Sequence, residues 1–383
     1  MVTFAPNGDW ALVANEGEPE GYCAGQVDPE GTVSVIDLRQ GVTSASVRTA
    51  DFSRFDAATL RAQGVRIYGP NATAAQDLEP EYVAVSHDSR TAWVTLQENN
   101  AIAVVDIRSA SVTGITPLGL KDHSLPANAL DPSDRDGGTK IGTWPVKGLY
   151  EPDGITAYAV KGKSYTVSAN EGDTRDWDCY TEESRVSALT LDPTAFPNAA
   201  ALKANSAIGR LTVTTTSPKG ANGYTELQVP GGRSISVRDA SGALVWDSGD
   251  ALERLVAERA PAFANANHEE TRSADTRSDN KGPEPEGVDL GKLGGRTYAF
   301  VGLERVSGIA VVDVTDPAAG RVAGFGLNRN DEGSVADGTA GDLGPEGVHF
   351  IAAEDSPNGQ PLLVVGNEVS GTTTVWQVSL DRR

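Results

Sequence analysis

Acidic residues recur at fixed spacing along this chain of 383 residues. Four segments open on Pro followed by an acid and a short apolar run, and we call these the opening motifs; their acids are Glu81, Asp153, Glu286 and Glu346. A glutamate follows each opening acid by 17 to 22 residues, at the end of the next apolar run: Glu98, Glu171, Glu304 and Glu368. Glu16 holds this second position in a unit without an opening motif. The constant phase predicts that these nine acids occupy equivalent places in repeated units.

Carboxylates brought together in this way repel one another, and ionising all of them is unfavourable. A hard divalent cation relieves the repulsion, and Ca²⁺ accepts six to eight oxygens in flexible geometry. Four His and two Cys make zinc an unfavoured metal. We therefore predict that all nine acids surround Ca²⁺ or another hard divalent cation, with carbonyl oxygens added by Asn15, Asn170 and Asn367. The alternative is that the acids accept backbone N–H groups and join neighbouring units without a metal.

Two basic residues stand beside acids just before the third opening motif. Arg277 and Lys281 flank Asp279 and precede Glu286. Cations beside a carboxylate-bound metal are what hydrolysis of a phosphate ester requires, because they neutralise charge that develops on the phosphoryl oxygens. We predict these four residues as the catalytic group of such a site. The alternative is a surface loop whose opposite charges pair with one another.

The apolar runs between these acids are short, rich in Val and Ile, and bounded by turn residues. No helical crossover separates them, which indicates an all-β chain and favours a β-propeller. We expect residues 1–383 to form one propeller domain with about six visible blade units, one of them degenerate around residues 233–247. A stack of sandwich domains is the alternative. Two helices are predicted, at residues 56–63 and 251–258.

The first unit begins at Met1, where an opening acid would precede it. We therefore expect this to be part of a seven- or eight-bladed ring whose N-terminal blades are missing from the chain. In a propeller the innermost strand of each blade lines the central channel. The recurrent acids should then form rings around that channel.

The net charge and the short apolar stretches argue against nucleic acid and membranes as partners. The formal net charge is −21, from 53 acidic and 32 basic residues, and such a field repels nucleic acid and anionic membranes. No apolar stretch reaches the roughly 18 residues that a membrane-spanning helix needs. We expect a monomer that neither binds nucleic acid nor inserts into a membrane.

Each of the two cysteines follows an Asn-Glu-Gly triplet within a few residues, Cys23 in the first unit and Cys179 in a later one. Equivalent loops of two blades lie on the same face, so a disulfide between them is geometrically feasible. Two unrelated buried thiols are the alternative. A disulfide would imply an oxidising compartment.

Two stretches carry a resemblance to a known family, the run Val13 to Pro19 and the run Arg277 to Val288. With them the chain resembles the choice-of-anchor I family of bacterial surface and secreted β-propellers over nearly its whole length. The resemblance implies an exported protein, secreted or at the cell surface, with more propeller upstream. Relatives are often labelled alkaline phosphatase, which implies a small phosphorylated substrate. The alternative is a non-enzymatic propeller that binds an extracellular protein or glycan.

Overall fold

The computed structural model describes residues 1–380, and its β-sheets are mostly antiparallel. The first four-stranded sheet contains β1 (Val2–Phe4), β2 (Trp10–Asn15), β3 (Thr32–Asp37) and β4 (Ser46–Asp51). The second contains β5 (Pro80–Val85), β6 (Thr91–Leu96), β7 (Ala101–Asp106) and β8 (Ser111–Pro117). In both sheets the strands are neighbours in chain order, as in a meander.

A large insertion interrupts the third four-stranded sheet. Strands β9 (Leu120–Asp122) and β10 (Lys147–Leu149) precede β11 (Ile155–Val160) and β12 (Lys163–Asn170). The insertion then contributes β13 (Asp176–Trp177), β14 (Tyr180–Thr181), β15 (Glu183–Arg185), β16 (Thr212–Thr214), β17 (Lys219–Gly220), β18 (Gly223–Tyr224) and β19 (Gln228–Val229). Strands β20 (Ser234–Asp239) and β21 (Leu244–Asp247) complete the third sheet, in which β20 pairs with β12.

The prediction of a separate degenerate unit around residues 233–247 is therefore wrong. Those residues are the two outer strands of the third sheet. The insertion between β12 and β20 separates them in sequence from the inner pair, so the repeat spacing suggested an extra unit. The described residues form five sheets of this plan, where about six units were expected.

The fourth sheet contains β22 (Pro285–Leu293), β23 (Arg296–Leu303), β24 (Gly308–Asp313) and β25 (Arg321–Leu327). The fifth has three strands, β26 (Pro345–Ile351), β27 (Leu362–Asn367) and β28 (Thr372–Gln377). The first strands of successive sheets contact one another, β1 with β5, β5 with β11, β11 with β22, and β22 with β26. All five line one channel. This is how propeller blades meet, and we call the sheets blades I to V. The prediction of an all-β chain is confirmed.

Short helices lie between blades I and II, α1 (Ala57–Gln63) and α2 (Ala74–Asp77), within the insertion, α3 (Ala199–Leu202), and between blades III and IV, α4 (Ala251–Arg259). Four 3-10 turns add residues Val42–Ser44, Pro126–Asn128, Val186–Ala188 and Pro261–Phe263. Helices α1 and α4 confirm the two predicted helices. Helix α1 begins where the Asp56 carboxylate accepts the Thr59 N–H, and it ends at Gly64 with φ 98°. None of the helices within residues 1–380 has the length and apolar character needed to cross a membrane.

The hydrophobic core lies between adjacent blades. Blades I and II share one cluster that includes Leu12, Val33 and Val94, and blades III and IV share another that includes Val167, Ile235 and Val301. Blades IV and V pack through Phe300 and Val365. The insertion has its own cluster. Each blade is thus stabilised mainly by its neighbours, as in other repeat architectures.

The glycine after the opening acid lets inner strands approach each other. A Cβ at Gly154 would lie 2.3 Å from the Glu286 carbonyl oxygen, and one at Gly287 would lie 1.8 Å from the Glu346 carbonyl oxygen. Backbone atoms cannot make room for a Cβ at these distances unless the whole strand moves. At Gly347, in blade V, the nearest atom would be 3.9 Å away. The Pro-acid-Gly motif is therefore a requirement of close blade packing in blades III and IV.

We expect Gly287→Ala to lower the free energy of unfolding by about 3 kcal/mol, because the new methyl group overlaps the backbone of blade V. Gly347→Ala is the matched control, at the same position of its motif but with open space beside it, and should change stability by less than about 1 kcal/mol. Urea unfolding followed by tryptophan fluorescence measures both. Equal losses in the two variants would contradict this account of the motif.

Candidate functional site

A cavity of about 500 Å³ lies on the channel axis, and we call it the axial cavity. Its lining is dominated by acidic side chains: Met1, Glu16, Glu18, Glu81, Tyr82, Gln97, Glu98, Asp153, Glu171, Asp173, Lys281, Glu286, Glu304, Arg305 and Glu346. The predicted acids are therefore brought together from all five blades. Glu368 is the exception, because it is exposed and is not among the lining residues.

A local irregularity of the first strand positions three of the four opening acids, those of blades II, IV and V. The pairing between first and second strands shifts register from Pro80 to Val83, from Pro285 to Val288 and from Pro345 to Gly347. Each shift contains the opening acid of its blade. A β-bulge re-aims side chains at such a point, so the proline that begins the strand and the bulge after it turn the acid toward the axis.

The second set of acids lies one or two residues after the second strand of each blade. The asparagines beside three of them do not reach the axial cavity. The side-chain amide of Asn170 donates to the hydroxyls of Ser234 and Ser236, at 3.1 and 2.8 Å. Asn15 and Asn367 make the same kind of bond to hydroxyls on the third strand of their blades. The prediction that these amides add metal ligands is wrong: they brace the second strand against the third.

Two groups of three carboxylates converge at the axis, Asp153 with Glu171 and Glu286, and Glu171 with Glu284 and Glu304. The second group is already paired with Lys281, Arg277 and Arg305, so the first has the greater unmet charge. One oxygen each from Asp153, Glu171 and Glu286 lies within 4.8 Å of the other two. Glu286 Oε2 is buried and has no hydrogen-bond partner within residues 1–380, and the same holds for Glu98 Oε2. A buried anionic oxygen without a donor is unfavourable. The first group therefore has the donor atoms and the unmet charge that a hard cation requires.

The protein environment of the axial cavity favours the protonated, neutral form of its carboxyl groups. Burial, followed by the charges of nearby carboxylates, raises the pKa of Glu81 to about 11 and that of Glu286 to about 12. Burial likewise raises the pKa of Glu98 to about 7 and that of Glu304 to about 8. Asp153 shifts in the same direction for the same reasons. Without a cation, protons must neutralise part of the cavity at neutral pH.

Two cations reach the axial cavity, Lys281 and Arg305. Lys281 Nζ donates to the Gly172 carbonyl at 2.5 Å and lies 3.3 Å from Glu171 Oε1. Arg305 Nε lies 3.0 Å from Glu284 Oε2 and 3.2 Å from Glu304 Oε2. Sequence reasoning missed Arg305, although it directly follows one of the recurrent glutamates.

Arg277 and Asp279 do not join this site. Arg277 pairs with Glu284 at 2.6 Å, and Asp279 is buried against Arg185 and Arg210 at 2.9 and 3.0 Å. Neither lines the axial cavity. The prediction of a catalytic group containing both therefore fails on position, because the chain turns after Asp279 so that only Lys281 faces the axis.

The glutamate before the opening proline forms an ion pair that the sequence analysis did not predict. Glu79, Glu151 and Glu284 hold this place in blades II to IV, and each is at most 1% exposed. Glu79 pairs with Arg175 at 3.0 Å, and Glu151 pairs with Arg66 at 2.6 Å. The recurrence of a glutamate directly before proline in three units is the sequence pattern that could have indicated this role. Each buried carboxylate forms an ion pair, and those of Glu284 include Lys281 and Arg305 of the axial cavity.

Glu284 is the most heavily paired of the three. Arg277, Arg305 and Lys281 all lie within 3.5 Å of its carboxylate. Burial opposes its ionisation, but the three cations outweigh that effect and lower its pKa to about 2. Glu284 is thus the anion that fixes both cavity cations.

A disulfide joins two loops at the rim of the axial cavity. Cys23 and Cys179, 156 residues apart, are bonded with a Cα–Cα distance of 5.2 Å. The Cys23 loop follows Glu16 and Glu18, and the Cys179 loop follows Glu171 and Asp173, all of which line the cavity. The bond therefore ties blade I to the insertion of blade III on the side where the acids lie.

The fold and the site define an all-β protein of contacting blades with an acidic axial cavity. The model of the choice-of-anchor I domain matches residues 1–317. This chain therefore belongs to the choice-of-anchor I domain family, and the resemblance noted in the sequence is confirmed.

Curated relatives come from marine invertebrates. Gigasin-3a of Magallana gigas is 30% identical over 183 residues, which are 45% of this chain and 64% of that protein. The mesenchyme-specific cell surface glycoprotein of Strongylocentrotus purpuratus is 30% identical over 282 residues, which are 64% of this chain and 36% of that protein. The chain thus spans less than two thirds of either relative.

Two of the solved structures that match this chain have very low sequence identity to it. The periplasmic gluconolactonase PpgL of Pseudomonas aeruginosa is 13% identical, covers 98% of this chain and 70% of its own, and gives a TM-score of 0.40. The β-propeller domain of Cps50 (Swd1) from Myceliophteria thermophila is 7% identical, with 99% and 69% coverage and a TM-score of 0.38.

Proposed function

We propose that this chain is an extracellular propeller whose axial cavity binds a hard divalent cation of the Ca²⁺ class. Asp153, Glu171 and Glu286 are the central ligands. The observation that carries the proposal is the approach of three carboxylates to within 4.8 Å, with a buried Glu286 oxygen that has no partner within residues 1–380.

The donor set fits such a cation. Oxygen ligands from carboxylates suit Ca²⁺, which tolerates irregular geometry. Glu81, Glu98 and Glu346 line the same cavity and can complete the ligand shell or balance its charge. Both cysteines are committed to a disulfide, and among residues 1–380 no His lines the cavity, which supports an oxygen-preferring metal. The same cavity offers Lys281 as the neutralising partner of Glu171 when no cation is bound.

We expect Glu286→Gln to weaken Ca²⁺ binding at least 100-fold, because it removes the charge of the central carboxylate while preserving its shape. Glu368→Gln is the control, since Glu368 is a recurrent acid of blade V, from the second set, but is exposed and does not line the axial cavity. Isothermal titration calorimetry at pH 7.5 measures both. Equal affinity in the parent and Glu286→Gln would contradict the assignment of the ligands.

An extracellular location is supported by three independent features. The disulfide suits an oxidising compartment. The match to the choice-of-anchor I domain suggests export, and one relative carries the name of a cell surface glycoprotein. The strongly negative net charge of −21 suits a soluble extracellular protein rather than one that binds nucleic acid.

Hydrolysis of phosphate esters is the second candidate function, and Lys281 and Arg305 favour it. Both cations line the axial cavity beside the proposed metal ligands. A bound metal ion would stabilise negative charge on the phosphoryl oxygens and would lower the pKa of a bound water molecule. Lys281 and Arg305 would orient the ester, and Glu284 would hold both in place. Because the side chains of Lys281 and Arg305 are already bonded to carboxylates, the binding of a divalent metal ion remains our first proposal.

Turnover of 4-nitrophenyl phosphate, with Ca²⁺ and then with chelator, tests the second candidate. If the chain is a phosphoesterase, activity should need Ca²⁺ and fall at least 100-fold in Lys281→Met. Ca²⁺ binding without turnover would reject hydrolysis and leave a cation-bound propeller that contacts an extracellular protein or glycan.

A further inference from the structure

A second cavity lies at the other end of the channel, and we call it the far cavity. Its volume is about 670 Å³, and residues of all five blades line it. The opening acids lie at the beginning of the first strands, whereas the far cavity is lined by residues near the ends of those strands: Val85, Ala159, Lys292 and Ile351. A smaller cavity of about 380 Å³ shares lining residues with both and therefore lies between them. The channel thus has two mouths with different linings.

The far cavity carries mixed charges, unlike the acidic axial cavity. One lysine, Lys292, and two acids, Glu354 and Asp355, line it together with His87 and His349. All five residues are exposed. The two acids oppose an anionic ligand, and the lysine beside them opposes a cation. Hydrogen-bond donors and acceptors of nearly balanced charge suit a neutral ligand that both donates and accepts.

The imidazole of His349 is held in place by a fixed carboxylate. Asp289 Oδ1 accepts the Leu290 N–H at 2.7 Å, and Asp289 Oδ2 accepts the Phe350 N–H at 2.8 Å. The same Oδ2 lies 3.2 Å from His349 Nδ1, although the histidine side chain is 74% exposed. An exposed side chain normally samples several rotamers, so this bond orients the ring in advance. The other ring nitrogen, Nε2, is left to contact a ligand.

Two aromatic rings line the same cavity, and each is supported from behind. Phe350 stacks on Phe300 with ring centroids 5.3 Å apart and planes inclined by 11°. Tyr158 packs against Tyr165 at 5.9 Å between centroids. Rings that are fixed by such contacts offer large apolar area without much loss of side-chain freedom on binding. The far cavity thus combines rigid aromatic walls with exposed polar groups.

We propose that the far cavity binds a neutral saccharide. The apolar C–H faces of the sugar rings pack on Tyr158 and Phe350. The sugar hydroxyls, which both donate and accept, bond to His349, Lys292 and the two acids of the far cavity. Pockets for small ligands have volumes of about 300–1,000 Å³ and pair apolar walls with a few placed polar groups. This site is separate from the axial cavity and holds its ligand without a metal ion.

Isothermal titration calorimetry in the presence of chelator tests the site with four neutral trisaccharides: maltotriose, cellotriose, mannotriose and chitotriose. We expect at least one to bind with a Kd below about 1 mM. Lys292→Ala and His349→Ala should each weaken that binding about 10-fold, because each removes a hydrogen-bonding group. Lys163→Ala is the matched control, since Lys163 is exposed at the same end of blade III but does not line the far cavity. Far-UV circular dichroism checks that each variant is folded.

No binding of any of the four sugars, or binding that is unchanged in both cavity variants, would overturn the proposal. Sugar binding that requires Ca²⁺ and is lost in Glu286→Gln would place the saccharide in the axial cavity and would also overturn it. Titration with citrate tests the class of ligand, because citrate binding without sugar binding would contradict a neutral saccharide. Since the experiment is done in chelator, its failure is distinguishable from failure of the axial cation site.

Discussion

Replacing Glu284 by glutamine is expected to lower the free energy of unfolding by about 3–5 kcal/mol. The change leaves Lys281, Arg277 and Arg305 near one another without the buried anion that all three contact. Removing one partner of a buried ionic group is unfavourable because the remaining charges stay desolvated and now repel. The axial cavity should also lose its arrangement, since Lys281 and Arg305 are held by this carboxylate.

Urea unfolding measures the effect. Glu269→Gln is the matched control, because Glu269 lies in the same long loop but is exposed, and it should change stability by less than about 0.5 kcal/mol. A loss in Glu284→Gln no larger than in this control would show that the three cations find other partners, and would contradict the role of Glu284.

In the presence of chelator, stability should fall as the pH rises from about 5 to about 8. Burial raises the pKa of Glu98 to about 7 and that of Glu304 to about 8, from 4.5 when unfolded. Carboxyls with a raised pKa stabilise the fold below their unfolded pKa, and this stabilisation is lost as the pH passes their folded pKa. Glu98 alone should contribute a loss on the order of 3 kcal/mol.

Ca²⁺ should reverse this loss, because it replaces the protons as the neutralising charge. Thermal unfolding with chelator and with Ca²⁺, at pH 5 and pH 8, tests the linkage. The increase in Tm on adding Ca²⁺ should be larger at pH 8. Glu98→Gln should reduce the pH dependence in chelator. An equal Ca²⁺ effect at both pH values, or a chelated protein that becomes more stable as the pH rises, would contradict it.

The repeat in the sequence was enough to predict which acids converge. Opening acids such as Glu81 and Glu286 follow a proline at a strand start, and the glutamates that end the second strands lie at a fixed distance from them. Both features are local, so a single chain reveals them. Eight of the nine predicted acids line one cavity. Glu368 is exposed and does not line that cavity.

Features that depend on distant contacts were not predictable in this way. The outer strands of blade III were assigned to another unit, because the insertion after Asn170 hides their pairing with β12. The position of the Arg277 side chain could not be predicted for a similar reason. Its partner Glu284 is close in sequence, but only the turn of the loop decides that Lys281, and not Arg277, faces the axis.

The most direct measurement of the central claim is an anomalous difference map from crystals grown with Ca²⁺ at pH 7.5. We expect a peak in the axial cavity with oxygens of Asp153, Glu171 and Glu286 at about 2.3–2.6 Å. A map at saturating Ca²⁺ that shows no peak among these carboxylates, with their oxygens sharing protons instead, would contradict the claim that this cavity is a cation site.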